Sequence, residues 1–322
     1  MKLERIFDLI ASDMKAVDAL IHQKLQSDVL LARQVTDYII DAGGKRLRPA
    51  LVLLSAGTQS YGGTLHVKLA AIVEIVHTAT LLHDDVVDES DLRRNRKTAN
   101  ALFGNAASIL VGDFLYSRAF QMMVEVDDMH IMRVLSDATN IIAGGEVLQL
   151  MNCHDANIGE ERYLQIIRDK TAKLFETASR AGAIISDAPP DVEECLADYG
   201  AHLGTAFQLI DDVLDYSGAE TDTGKHLGDD LAEGKPTLPL IYAMQHGTAE
   251  QANCVRQAIE HGGRDRFPEV LAVIRATGAL EYTRKQAEVE ARRAQAAIGT
   301  LTASSYKDSL LELASFAVDR TF

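Results

Sequence analysis

The sequence predicts an all-α fold, a single large helical bundle, and three observations carry that expectation. Apolar residues recur at three- and four-residue spacing along most of the 322 residues. Only six prolines are present, and long stretches run without Pro or Gly clusters, which disfavours a turn-rich β architecture. No low-complexity linker or shift of composition divides the chain, so residues 1–322 read as one domain long enough to bury a large core.

The elements follow in order. Leu3 to Ile40 carries helical spacing and stops at Gly43-Gly44, a natural C-terminal cap and turn. Val67 to His83 is apolar almost all round and predicts a helix at the centre of the bundle. Its most apolar part, Leu69 to Leu82, is 14 residues long and contains Glu74 and His77. A spanning helix needs about 20 apolar residues, so no transmembrane segment is predicted, and membrane contact is left open only at the periphery. Ala106 to Val126, Ile131 to Leu150, Arg162 to Ala183 and Val192 to Tyr216 read as further helices. Ser217 to Pro236, rich in Gly and Asp, reads as a long loop. Helices resume at Leu238, with breaks near Gly247, Gly262-Gly263 and Gly278.

Charge narrows the function. The net charge is −15, from 47 acidic against 32 basic residues, which disfavours non-specific nucleic-acid binding. Carboxylates can instead collect divalent metal, and metal collects phosphate, although most of these charges serve equally as a solvated surface. Cys153, Cys195 and Cys254 are odd in number and lack C-x-x-C spacing. Neither a disulfide framework nor a zinc knuckle is expected, and a reducing cytoplasm fits. The start, Met1-Lys2-Leu3-Glu4-Arg5, leads into a polar amphipathic segment rather than an apolar signal core.

Two acidic clusters stand out. Leu82-His83-Asp84-Asp85-Val86-Val87-Asp88 and Leu209-Ile210-Asp211-Asp212-Val213-Leu214-Asp215 share a spacing, and each ends an apolar run. Asp84 and Asp88 lie on one helix face with Cβ atoms ~6 Å apart, where two like charges repel unless a cation sits between them. Asp211 and Asp215 repeat the arrangement. A single triplet is as easily an accident of a helix end; two copies argue for a metal. Carboxylates without nearby His or Cys ligands suit a hard cation, and Mg²⁺ is usually held by one or two carboxylates plus substrate phosphate. The deduced site is two facing acidic walls that bind a diphosphate through metal.

Direct cationic partners for a diphosphate are also present. Gly43-Gly44-Lys45-Arg46-Leu47-Arg48-Pro49 places three cations in a glycine-started turn. Arg93-Arg94 follows the first acidic cluster, Lys170-Thr171 lies in a helical segment, and Lys225 and Lys235 sit in the Gly-rich loop after the second. Arg binds phosphate through a planar fork and Lys as a mobile point charge.

These motifs, together with Gly145-Glu146-Val147-Leu148-Gln149, Phe207-Gln208 and Gly234-Lys235-Pro236-Thr237-Leu238-Pro239, resemble the ordered motifs of the trans-isoprenyl (polyprenyl) diphosphate synthases. The likeness spans Gly43 to Pro239, and five motifs in order are highly specific. Within the family, His77 to Asp91 and Gly112-Asp113-Phe114 through Met123 look most like the bacterial octaprenyl branch. Two positions depart from the pattern: Asn95 stands where Gly usually follows the paired arginines, and Gly144 where close relatives tend to have Glu. Asn tolerates positive φ, so the first turn is expected to survive.

The resemblance implies an isoprenoid-synthase bundle with a central active-site cavity, a homodimer, and supply of a quinone side chain. It implies that Lys45, Arg48, His77 and Arg94 hold isopentenyl diphosphate. Arg93, Lys170, Thr171, Gln208, Lys225 and Lys235 would hold the allylic diphosphate, such as farnesyl diphosphate. Asp84, Asp88 and Asp211 would be the main Mg²⁺ ligands, with Asp85, Asp212 and Asp215 behind them. The reaction implied is a 1′-4 condensation: the allylic C–O bond ionises, the double bond of isopentenyl diphosphate attacks the cation, and the released diphosphate takes the proton.

Helix geometry suggests what limits the tail. Ala79 and Thr80, five and four residues before Asp84, are small where short-chain relatives often carry aromatic residues, so a tail can pass about one turn deeper. Val76, Val73 and Ile72 continue an apolar wall, and Met122 and Met123 are candidates for its floor. Three alternatives remain at this point. A short-chain farnesyl or geranylgeranyl synthase shares the motifs, but the small Ala79 and Thr80 argue against it. A terpene cyclase has no need of the Lys45–Arg48 site, and a non-catalytic regulatory subunit is expected to have lost one acidic cluster.

Overall fold

The computed structural model describes residues 2–93, 96–217 and 227–320. It is 79% helical, which makes the fold all-α. Strand pairing among the described residues is confined to a two-residue antiparallel hairpin, β1 (Leu92–Arg93) with β2 (Arg96–Lys97). The predicted first helix is three: α1 (Lys2–Leu9), α2 (Ala11–Lys24) and α3 (Leu30–Asp41). Next come α4 (Leu47–Thr58), α5 (Leu65–Val87), α6 (Ala99–Phe103), α7 (Asn105–Val124) and α8 (Met129–Asn152). The predicted helix from Arg162 is interrupted: α9 (Glu160–Ile167) passes through a π turn, Arg168–Ala172, into α10 (Lys173–Ile184). Then follow α11 (Pro190–Ser217), the short α12 (Asp229–Ala232) inside the predicted loop, α13 (Leu238–His246), α14 (Ala249–His261), α15 (Phe267–Thr277), α16 (Ala279–Ala297) and α17 (Ser305–Asp319).

The chain forms two compact units. One comprises Met1–Thr139, Leu174–Gly200 and Gln295–Leu313, the other Asn140–Lys173, Ala201–Ala294 and Ala314–Phe322.

In the first unit α5 packs on α2, α4 and α7. Leu69 to Val73, Ile75, Val76, Ala79 and Leu82 have no solvent exposure, so removing one large side chain, as in Ile72→Ala, would cost roughly 2–5 kcal/mol. The antiparallel register of α5 against α7 is fixed at both ends. Ser108 Oγ donates to the Leu82 carbonyl at 2.9 Å, and Lys68 Nζ reaches the Glu125 carbonyl at 3.4 Å. At 23 residues α5 is longer than the 14-residue apolar stretch suggested, and long enough to cross a membrane by length and composition. Length therefore does not exclude a span. Burial describes the helix instead, since its apolar window is mostly covered by its neighbours in the unit.

In the second unit, Leu209, Ile210 and Leu214 of α11 pack with Tyr163, Ile167, Leu238, Ile241 and Ala287. A second cluster gathers Tyr216, Leu231, Leu240, Val255, Ile259, Val270 and Ile274. α11 thus enters its acidic end from a largely apolar environment, as α5 does.

Candidate active site

The first unit builds the Gly43–Pro49 turn on the end of α3. Gly43 adopts φ 68°, the left-handed value expected of a helix cap, and its N–H donates to the Ile40 carbonyl. Arg46 also takes a left-handed φ of 49° where α4 begins. Its guanidinium is held 2.6 Å from Glu74 of α5, a carboxylate only 7% exposed. Arg46 therefore anchors the turn, and Lys45 and Arg48 on either side are half-buried like it. Arg48 stacks over the Phe175 ring, 4.5 Å from its centroid, and Nη1 donates to His77 Nε2 at 3.0 Å. Since Arg can only donate, His77 accepts at Nε2 in this arrangement. His77, expected at the diphosphate, lies beside Arg48, which is expected there too.

At the end of α5 the three aspartates differ in exposure. Asp84 and Asp88 are half-buried, whereas Asp85 is fully buried and receives Arg93 through Nε at 2.8 Å and Nη2 at 2.7 Å. Arg93, expected at the allylic diphosphate, thereby ties the hairpin to the helix end. Asn100 Nδ2 donates to the Asp85 carbonyl, and Tyr38 Oη donates to the Lys97 carbonyl from α3. Arg94 and Asn95 lie outside the described residues.

His83 turns away from the carboxylates. Its ring stacks on Tyr116 of α7, with Nε2 3.2 Å from the Ile109 carbonyl and 3.3 Å from Asp113. Gly112 makes room for it, because a Cβ there would lie 2.3 Å from Nε2. The donors offered by this helix end are thus oxygens alone.

The chain-length candidates fall on different sides of α5. Thr80 is half-buried on the side of Asp84, with its hydroxyl donating to the His77 carbonyl. Ala79 has no exposure and shares the α7-facing side with His83, one turn deeper. Met122 and Met123 are each 1% exposed, and the α5–α7 register brings them level with Ala70 and Ala71. That is about 20 Å below Asp84 along the helix.

In the second unit, Gly145 lets α8 approach the π turn. A Cβ there would sit 2.7 Å from the Lys170 nitrogen, and the next residue, Glu146, holds Lys170 Nζ at 2.6 Å. Such π turns recur at functional sites. Gly144 has open space where a Cβ would stand. A hydrogen-bonded chain runs from this turn into the second acidic motif. Thr171 Oγ1 donates to Gln208 at 3.1 Å, and Gln208 Nε2 donates to Asp212 Oδ1 at 2.9 Å. Tyr163 Oη closes on Asp212 Oδ2.

Asp212 is 1% exposed, and burial first, then the Asp230 charge, push its carboxyl well above the usual range. Burial likewise pushes the Tyr163 phenol up. Asp211, one residue earlier, is exposed. Asp215 is half-buried, and its carbonyl accepts from the Gly228 N–H. Lys235 pairs with Glu233, and its N–H donates to the Asp230 carbonyl. Lys225 lies outside the described residues.

Burial thus sorts the carboxylates. Asp84, Asp88 and Asp211 face solvent in part, while Asp85 and Asp212 are buried and held by protein donors; Asp211 also meets Arg320. Among the described residues no three His, Cys, Asp or Glu side chains converge to hold a metal ion by themselves. Open carboxylates in twos and threes with no nitrogen or sulfur donor fit Mg²⁺ completed by substrate phosphate and water. Glu74, Phe175, Tyr163 and Arg320 were not singled out as functional from the sequence. Only Glu74 carried a signal, a charge inside an apolar helix that demands a partner.

The polyprenyl synthetase family profile matches residues 30–274. The chain belongs to the polyprenyl synthetase family. It is a prenyltransferase. It is 53% identical to the octaprenyl diphosphate synthase of Escherichia coli over 99% of both chains. It is 46% identical to an all-trans-nonaprenyl-diphosphate synthase (geranyl-diphosphate specific) of Rhodobacter capsulatus, over 97% of this chain and 96% of that one. A crystal structure of a Caulobacter crescentus polyprenyl synthase, complexed with calcium and isoprenyl diphosphate, superposes with a TM-score of 0.96. That protein is 44% identical over 99% of this chain and 98% of the other.

Proposed function

We propose that this chain is a long-chain trans-polyprenyl diphosphate synthase that makes octaprenyl diphosphate by adding isopentenyl diphosphate units to an allylic primer such as farnesyl diphosphate. One observation carries the reading furthest: the stacked, histidine-aimed Arg48 beside Lys45, in a chain that also keeps two aspartate-rich helix ends. A cyclase ionises one diphosphate and has no use for a second cation site. A regulatory subunit has no reason to keep Asp84, Asp88 and Asp211 open to solvent. Full-length likeness to octaprenyl synthases supports the product class.

In this reading Lys45 and Arg48 bind the diphosphate of isopentenyl diphosphate. Arg93, Lys170, Thr171, Gln208 and Lys235 orient the allylic diphosphate, with Lys225 added there by family likeness, and His77 and Arg94 join the isopentenyl diphosphate site on the same ground. Asp84, Asp88 and Asp211 would hold Mg²⁺, which supplies neutralisation of the charge that builds on the departing diphosphate. As the allylic C–O bond breaks, the cations around it stabilise the leaving group more than the ground state, which lowers the barrier. The new C–C bond forms to the terminal carbon of isopentenyl diphosphate, and the released diphosphate takes the proton.

The calcium complex of the Caulobacter relative supports a divalent ion. Exposed apolar residues on α7 (Ile109, Leu110, Phe120, Val124) and on α8 (Val147, Leu150, Met151) support a homodimer. The cysteine spacing supports a cytoplasmic location, and the product suits a quinone side chain.

The test is product length. Purified protein with farnesyl diphosphate, isopentenyl diphosphate and Mg²⁺ is expected to yield the octaprenyl product, and none in EDTA. A C20 product, or extension of a shorter allylic primer that stops at C15, would favour the short-chain reading, and no turnover with either primer the regulatory one. Arg48→Ala is expected to raise the KM for isopentenyl diphosphate about ten- to a hundredfold with kcat changed far less, since a lost charged hydrogen bond weakens binding throughout. A rise confined to the allylic KM would reverse the assignment of the two sites.

A further inference from the structure

The end of α17 delivers one arginine to the second acidic motif. Arg320 is 4% exposed, although it lies beyond the last helical residue. Its Nε donates to the Ala317 carbonyl at 3.3 Å, and Nη2 donates to the Phe207 carbonyl. The guanidinium lies over the Phe207 ring, 3.7 Å from its centroid. Nη1 is left to reach Asp211, 2.6 Å from Oδ1. The Asp211 carboxylate, by contrast, is 45% exposed. One partner of this pair is fixed and buried while the other is open.

That asymmetry matters for a cation. A stacked guanidinium with every nitrogen engaged stays in place, because pulling it out would strand a buried charge. Asp211 Oδ1 is therefore occupied, and an ion approaching from solvent finds Oδ2. Ca²⁺ accepts both oxygens of one carboxylate and gains from six to eight ligands, whereas Mg²⁺ demands near-octahedral geometry and keeps its waters. We propose that Arg320 is a positioning residue that limits Asp211 to one-oxygen coordination and so biases the second acidic motif toward Mg²⁺ over Ca²⁺. The proposal rests on the reading of Asp211 as a metal ligand.

Titration calorimetry on the full-length protein with inorganic diphosphate, using Mg²⁺ and Ca²⁺ in turn, tests it without turnover. Arg320→Met is expected to lower the ratio of the Ca²⁺ to the Mg²⁺ dissociation constant about tenfold, because Ca²⁺ gains the second oxygen. Arg320→Lys keeps the buried charge but loses the fork, and is expected to move the ratio in the same direction by a smaller factor. If the Met variant does not fold, the Lys variant decides. An unchanged ratio in the folded variant overturns the proposal, and a purely structural arginine would leave the ratio alone. Asp211→Asn separates the two ideas. If it leaves both dissociation constants as they were, the metal-ligand reading fails. If it weakens both while the Arg320 variants hold the ratio, the role of Arg320 alone fails.

Discussion

Replacing Asp84 with alanine is expected to lower kcat by roughly three orders of magnitude, because charge on the departing diphosphate goes unstabilised where it builds. The carboxylate is half-buried at the last turn of α5, so truncation removes little packing, and the thermal midpoint should stay close to that of the parent. Asp85 offers the matching contrast. It is fully buried and accepts two bonds from Arg93, so Asp85→Ala strands a guanidinium and is expected to destabilise the first unit by several kcal/mol. Steady-state kinetics and thermal melts on both variants make the comparison. An Asp84→Ala enzyme with kcat within a factor of ten of the parent would rule Asp84 out as a main metal ligand.

The second large effect concerns product length. Ala79→Tyr is expected to shift the product from octaprenyl to a much shorter chain while the first condensations proceed. Ala79 has no exposure and lies on the seam between α5 and α7, one turn beneath His83. A phenol ring cannot stay in that seam at native packing, and overpacking typically costs about 1–3 kcal/mol. Displaced toward the half-buried side of the helix beside Thr80, the ring would stand in the path proposed for the growing tail past Asp84. Met123→Ala is expected to do the reverse and lengthen the product if Met123 closes the far end of the seam. Chromatography of the dephosphorylated products reads both variants. Unchanged octaprenyl product from Ala79→Tyr would send the tail along another face of α5.

Much of the fold was legible because helix signals are local. The apolar run before Asp84 marked α5, and Gly43 with its positive φ marked the end of α3. The acidic motifs were legible because their spacing places like residues on one helix face, and the basic ones because glycine and proline frame them or an acidic cluster precedes them. The π turn was not legible: Arg168 to Ala172 has an ordinary helical composition, and the turn depends on the close passage of α8 at Gly145. Phe175, Tyr163 and Arg320 were hidden for a related reason. Each acts on a residue far away in the chain, Arg48, Asp212 and Asp211 respectively, and an isolated aromatic or arginine reads as ordinary core or surface. The apolar stretch also understated the length of α5, because Lys68, His83 and Asp84 end the apolar run without ending the helix.

The pairing of Arg46 with Glu74 has a consequence for anyone redesigning product length. Glu74 sits five residues before Ala79 on the same helix, and Arg46 sits between Lys45 and Arg48, the two cations proposed to bind isopentenyl diphosphate. The turn proposed to dock the extension unit is thus bolted to the helix proposed to measure the product. A substitution that nudges α5 to shorten or lengthen the chain also pulls on that turn, so selectivity and affinity for the building block are not independent dials. Variants selected for a new chain length are expected to arrive with an altered appetite for isopentenyl diphosphate. The compensating changes would be found at the Arg46–Glu74 junction rather than in the diphosphate ligands themselves.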